Sequence, residues 1–159
     1  DKIYNVWDMI SNNAQKYNLS YVGLAARDTL RLEMGYCFYG KELTEKISPI
    51  SAGLGWCTNF NKKFVGSEII YGDKINGTQN KRIGFVMNEK GIPRENYLIY
   101  SLKSKLIGRV SSGTLSPMLN KGIGMGYINK EFSKYRSKIL IEIRGKLLEA
   151  EIYNPPFVR

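Results

Sequence analysis

Histidine is missing from this chain, and cysteine occurs only at Cys37 and Cys57. Without histidine there is no imidazole base, no Ser-His triad and no His-ligated zinc. Any acid–base chemistry falls to carboxylates, tyrosine, lysine or a substrate. The two cysteines form no C-x-x-C motif and are too few for a disulfide scaffold, so a reducing compartment is expected. No apolar run approaches the roughly 18–20 residues that cross a bilayer, and no basic-then-apolar leader is visible. The first residue is Asp1, not Met, and Asp1-Lys2-Ile3-Tyr4 runs straight into a helical pattern. The chain is therefore expected to be part of a longer protein.

Acidic residues are also few: 14 Asp and Glu stand against 24 Lys and Arg, for a net charge of +10. Such an excess attracts anionic partners, whether nucleic acid, an acidic protein or a polyanionic small molecule. It is equally what compositional drift produces in a chain rich in Lys, Asn and Ile. The basic residues form no block of five or six, which argues against a nucleic-acid arm.

What is present is ordinary for a globular chain: 159 residues, 43% hydrophobic and 24% charged. The length suits one domain or two small ones. Ile3, Val6, Trp7, Ile10 and Ala14 recur at helical spacing, which predicts an amphipathic helix over 3–17. Tyr21-Val22 reads as a short extended stretch. The segment GLAARDTLRLEMG (23–35) predicts a second helix stopped by Gly35. Leu24, Ala25, Ala26, Leu30, Leu32 and Met34 form its apolar face and leave Arg27, Asp28, Arg31 and Glu33 partly on a polar one, so Arg31 and Glu33 read as helix-surface charges. Ser48-Pro49 breaks any helix. Gly53 and Gly55 around Leu54, ahead of Trp56, predict a glycine-bent strand packed under the indole. Ser67 is a candidate N-cap for a short helix that ends in the turn-rich GDKINGTQN. Asn76-Gly77-Thr78 matches a glycosylation sequon, and chance is the preferred explanation.

The pattern changes near residue 80. RIGFVM (82–87), NYLIYS (96–101) and KLIGRVSS (105–112) read as strands, the last two joined through Leu102-Lys103-Ser104. GIGMGYI (122–128) places glycine at every second position, as in a strand that another backbone approaches closely. KILIEIRGKLLEAEIY (138–153) reads as a hairpin pivoting near Arg144-Gly145. Five or six short strands with glycine-rich turns point to a small antiparallel barrel.

Several segments, in order, carry a resemblance: GLAARDTLRLEMGYCFYG (23–40), SPISAGLGW (48–56), KRIGF (81–85), GIPREN (91–96), IGRVSSGTLSPMLNKGIGMGYI (107–128) and IRGKLLEAEIYNPPF (143–157). Together they are similar to the C-terminal half of the glycine cleavage system T proteins, the aminomethyltransferases. The resemblance implies an α+β fold, with the end of the folate-binding α/β region over 1–80 and a C-terminal antiparallel β-barrel over 81–159. It implies transfer of a one-carbon unit from the aminomethyl-lipoyl arm of the H protein to tetrahydrofolate, with release of ammonia. Tetrahydrofolate is then the co-substrate, the H protein the partner, and no metal or membrane takes part. The expected compartment is the bacterial cytoplasm, with the mitochondrial matrix as the alternative.

Two residues follow from the family motif. Arg27 takes the place of the arginine in the folate pocket, where a permanently charged planar fork of donors suits a heterocycle or a carboxylate. Tyr36 takes the place of the pocket's aromatic hydroxyl. Read without the family, Arg27 beside Asp28 is a structural ion pair and Tyr36 a core residue. Asp28 is expected to be structural, and Leu54-Gly55-Trp56 to pack. Arg94 and Arg109 read as a solvated face, or as help in docking the H protein. The family's catalytic Asp segment and its Gly-Tyr-Thr-Gly-Glu-type segment do not occur here. No catalytic residue is therefore assigned, and the chain by itself is expected to be inactive. Family members commonly carry Gly-Asn-Asp-Ile where this chain has Gly40-Lys41-Glu42-Leu43. The competing readings are a folate-binding module of a dimethylglycine or sarcosine dehydrogenase, a folate-binding iron–sulfur assembly factor, and, from another class, a basic barrel that binds nucleic acid.

Overall fold

The structure is a computed structural model and describes residues 2–158. Three helices precede a six-stranded barrel: α1 (Lys2–Ala14), α2 (Leu24–Glu33), α3 (Ser67–Asn76), then β1 (Asn80–Met87), β2 (Leu98–Tyr100), β3 (Leu106–Ser116), β4 (Lys121–Asn129), β5 (Lys138–Ile143) and β6 (Lys146–Tyr153). The strands close in the order β1-β4-β3-β2-β5-β6, and every pair is antiparallel. The α+β architecture with a small antiparallel barrel is the one the sequence predicts.

Alternation builds the barrel interior. Ile83, Phe85 and Met87 of β1, Ile99 of β2, Ile107 and Val110 of β3, Ile128 of β4, Ile139 and Ile141 of β5, and Ala150 and Ile152 of β6 form its core. In β1, β5 and β6 these side chains enter from every second residue, which is the period of the pleat; in β3 they are three apart, in a strand whose pairing shifts register between Val110 and Ser112. The β5–β6 hairpin pivots on Arg144 and Gly145, with φ of 52° and 76°. Positive φ at both central residues matches the right-handed twist of the flanking strands.

The glycines of β4 follow from close packing. Gly124 pairs with Phe85, and a Cβ there would run into the Phe85 ring. Gly126 leaves room for the Arg109 carbonyl and Ile99. Side chains at these positions would wedge β1 and β3 away from β4.

A second buried cluster joins α2 to the barrel: Leu32, Ile123, Met125 and Phe157. The C-terminal tail returns to the helix, where the Phe157 amide donates to the Glu33 carbonyl at 2.7 Å. Gly35, at φ 71°, ends α2 directly against Pro155.

Several local expectations need correction. Residues 51–58 form turns and one 3-10 turn, Gly55–Cys57, not a bent strand. Trp56 covers no such strand and is 83% exposed. Helix α3 continues through the supposed terminator to Asn76, and its N-cap is Gly66 at φ 83°, not Ser67. A left-handed glycine turns the chain into the helix, so no side-chain cap is made. Tyr21 and Val22 join no strand; Tyr21 stacks on Trp7 of α1 at 5.4 Å. Helix α1 stops at Ala14 and gives way to a 3-10 turn over Gln15–Tyr17.

Candidate functional site

Helix α2 carries the charged residues that the motif singles out. Residues four apart share a helix face, so Arg27 and Arg31 both reach the ring of Phe38, which lies just past the helix. Their guanidinium carbons stand 4.7 Å and 5.7 Å from its centroid. Arg27 is exposed and, among the described residues, makes no ion pair. Tyr36 is 62% exposed.

Asp28 does not orient Arg27. It accepts from Arg31, whose Nε and one Nη both lie 2.7 Å from the same carboxylate oxygen. This is the i, i+3 spacing at which helix side chains meet, whereas adjacent residues diverge.

The reading of Arg31 and Glu33 as surface charges is overturned. They are only 8% and 6% exposed. Arg31 donates to the Tyr36 carbonyl at 3.2 Å, to Glu42 Oε2 at 2.8 Å and to Ser112 Oγ at 2.8 Å, besides its bonds to Asp28. A buried guanidinium is tolerated because its planar donors all find acceptors. Glu42 is 0% exposed and also accepts from the Phe38 amide at 3.0 Å and from Ser111 Oγ at 2.6 Å. Glu33 accepts from Ser116 Oγ and from the Met118 amide. Meanwhile Leu24 and Leu30, expected on the buried face, are exposed.

The Gly40-Lys41-Glu42-Leu43 departure acquires a meaning here. Its Glu42 keeps a carboxylate where family members commonly carry Asp. The one signal in the sequence was that acid, retained behind the shared Gly40 while its neighbours changed.

Two further residues went unrecognised. Arg82 of β1 donates through Nε to the Ala52 carbonyl at 2.7 Å and through one Nη to Met125 Sδ at 3.1 Å, with the Gly35 carbonyl 3.4 Å away. Tyr127 of β4 donates to the Glu42 carbonyl at 2.8 Å. Burial holds the Tyr127 phenol well above its ordinary range, against the opposing charge of Arg82. Burial likewise pushes the nearby Cys37 thiol up.

A cleft of about 610 Å³ opens between the 40–51 loop, the end of α3 and strands β3 and β4, with Lys46, Asp73, Thr78, Asn96 and Arg109 on its walls. Arg27 and Tyr36 stand outside it. Arg109 is exposed and donates to the Asn96 carbonyl at 3.2 Å, while Arg94 borders a separate depression beside the β5–β6 turn. Among the described residues, no three His, Cys, Asp or Glu side chains converge as a metal site. None of their helices is long and apolar enough to cross a membrane.

Residues 80–159 match the glycine cleavage T-protein C-terminal barrel domain, and residues 1–62 match the GCVT N-terminal domain. The chain belongs to the glycine cleavage T-protein family. It is 43% identical to an aminomethyltransferase of Bacteroides fragilis over 99% of this chain and 44% of that protein. An aminomethyltransferase of Porphyromonas gingivalis is 44% identical over 96% of this chain and 43% of its own length. The crystal structure of glycine cleavage system aminomethyltransferase T from Bartonella henselae superposes with a TM-score of 0.90 at 28% identity, over 98% of this chain and 44% of that one. The chain thus spans less than half the length of the relatives it matches.

Proposed function

We propose that the protein carrying this chain is an aminomethyltransferase of the glycine cleavage system. It takes the one-carbon unit from the aminomethyl-lipoyl arm of the H protein, passes it to tetrahydrofolate and releases ammonia. The observation that carries this reading is Arg27, an exposed guanidinium resting on an aromatic ring, within the GLAARDTLR motif, with no carboxylate partner among the described residues. A cation left uncompensated beside aromatic side chains fits a ligand that joins a heterocycle to carboxylates. The aminomethyltransferase names of the matched relatives support this reading over a dehydrogenase module or an iron–sulfur assembly factor.

Tetrahydrofolate supplies the nitrogen that captures the one-carbon unit. The share of this chain is positioning and electrostatics. Arg27 neutralises and orients an anionic part of the co-substrate, and Tyr36 offers an aromatic face and a hydroxyl. The +10 charge favours both an acidic H protein and a polyglutamate tail. The acid–base step belongs to residues outside this chain. In this reading the folate-binding part runs to residue 80, the barrel follows from 81, and the compartment is the bacterial cytoplasm.

Calorimetric titration with tetrahydrofolate under reducing conditions tests the reading. Saturable binding by the wild type that is lost in Arg27→Met is expected. Equal binding by both removes Arg27 from the site.

A further inference from the structure

We infer that Arg31, which touches no ligand in the proposed reaction, is a positioning residue that keeps Arg27 available to an anion. The inference rests on the reading of Arg27 as a folate contact and goes beyond it. Three contacts carry it. First, Arg31 neutralises Asp28, the residue next to Arg27, through Nε and one Nη at 2.7 Å. Without it, a bare carboxylate would stand beside the anion site, attracting Arg27 and repelling the ligand. Second, Arg31 holds the Tyr36 carbonyl at 3.2 Å. Third, its partner Glu42 accepts from the Phe38 amide at 3.0 Å, which sets the ring on which Arg27 lies. The segment 36–38 is thus clamped between one buried cation and one buried anion. Ser111 and Ser112 of β3 anchor that pair to the barrel. The barrel therefore acts on the anion site through two hydroxyls, 81 and 69 positions away from the residues they hold.

The consequence is specific to a forked side chain. Lysine at position 31 retains a charge for Glu42, but as a point charge it cannot serve Asp28, Tyr36, Glu42 and Ser112 together. Its failure is expected at Asp28, and the effect should be electrostatic and reversible.

The test measures KM and kcat for tetrahydrofolate in the protein bearing Arg31→Lys, Asp28→Asn, the double variant, Ser112→Ala and Arg27→Met, alongside thermal unfolding. Arg31→Lys is expected to raise KM about tenfold with kcat within about twofold. Asp28→Asn alone should leave KM at or below the wild-type value, and added to Arg31→Lys it should recover most of the loss. Ser112→Ala, which removes one anchor and no charge, should raise KM about threefold, and it serves alone if Arg31→Lys does not fold. Unchanged KM in Arg31→Lys or, where that fails to fold, in Ser112→Ala overturns the inference. So does a KM rise in Arg31→Lys that Asp28→Asn cannot relieve, since that marks general loosening. Should Arg27→Met also leave KM unchanged, the folate reading itself falls. A KM rise in Arg27→Met alone sinks only the role of Arg31.

Discussion

The Tyr127 phenol donates to the Glu42 carbonyl at 2.8 Å, tying the C-terminal part of β4 to the loop that follows α2. Burial, the largest influence, raises the phenol's pKa well above its ordinary value. The folded chain therefore keeps this proton at a pH where the unfolded chain loses it, near pH 10. The stabilisation is complete below that pH and is lost as pH rises further. Tyr127→Phe should flatten the alkaline decline in urea midpoints above about pH 10 and cost about 1 kcal/mol at neutral pH. An alkaline limb as steep as in the wild type would assign the decline to other groups.

Glu42 is the buried counter-charge of Arg31, so its removal strands a guanidinium. Glu42→Ala should destabilise the fold by about 3–5 kcal/mol in urea unfolding. Glu42→Asp keeps the charge and should recover most of that loss, in keeping with the Asp that family members commonly carry. Equal loss in both variants would mean that reach, not charge, decides the contact.

Gly124 faces the Phe85 ring across the β1–β4 pair. Adding one methyl group there overpacks the barrel, and Gly124→Ala should cost about 1–3 kcal/mol. Phe85→Leu in the same chain should return part of it, a coupling that a double-mutant cycle reads directly. Additive losses would show that the ring can move aside.

The two thiols differ in setting. Cys57 is exposed, whereas Cys37 is half-buried and burial pushes its thiol up. Thiolate is the reactive form, so iodoacetamide near neutral pH should label Cys57 well before Cys37, as mass spectrometry of timed samples would show. Faster labelling of Cys37 would mean that the α2–barrel junction opens readily.

Local chemistry by itself settled the barrel. The alternation of Ile139 and Ile141, the glycines spaced by two in β4 and the Arg144-Gly145 pivot all act between near neighbours, so a linear reading captures them. The resemblance added the family, since motifs such as GLAARDTLR keep their order and spacing. Tertiary structure alone decided which charges of α2 face inward. Apolar periodicity put Leu24 and Leu30 inside and Arg31 and Glu33 outside, and the fold does the reverse. A charge can be buried only where its partners converge, and those of Arg31 and Glu33 sit up to 81 and 85 positions away. The exposure of Trp56 was hidden for the same reason: nothing within its own segment states what, if anything, lies above an indole.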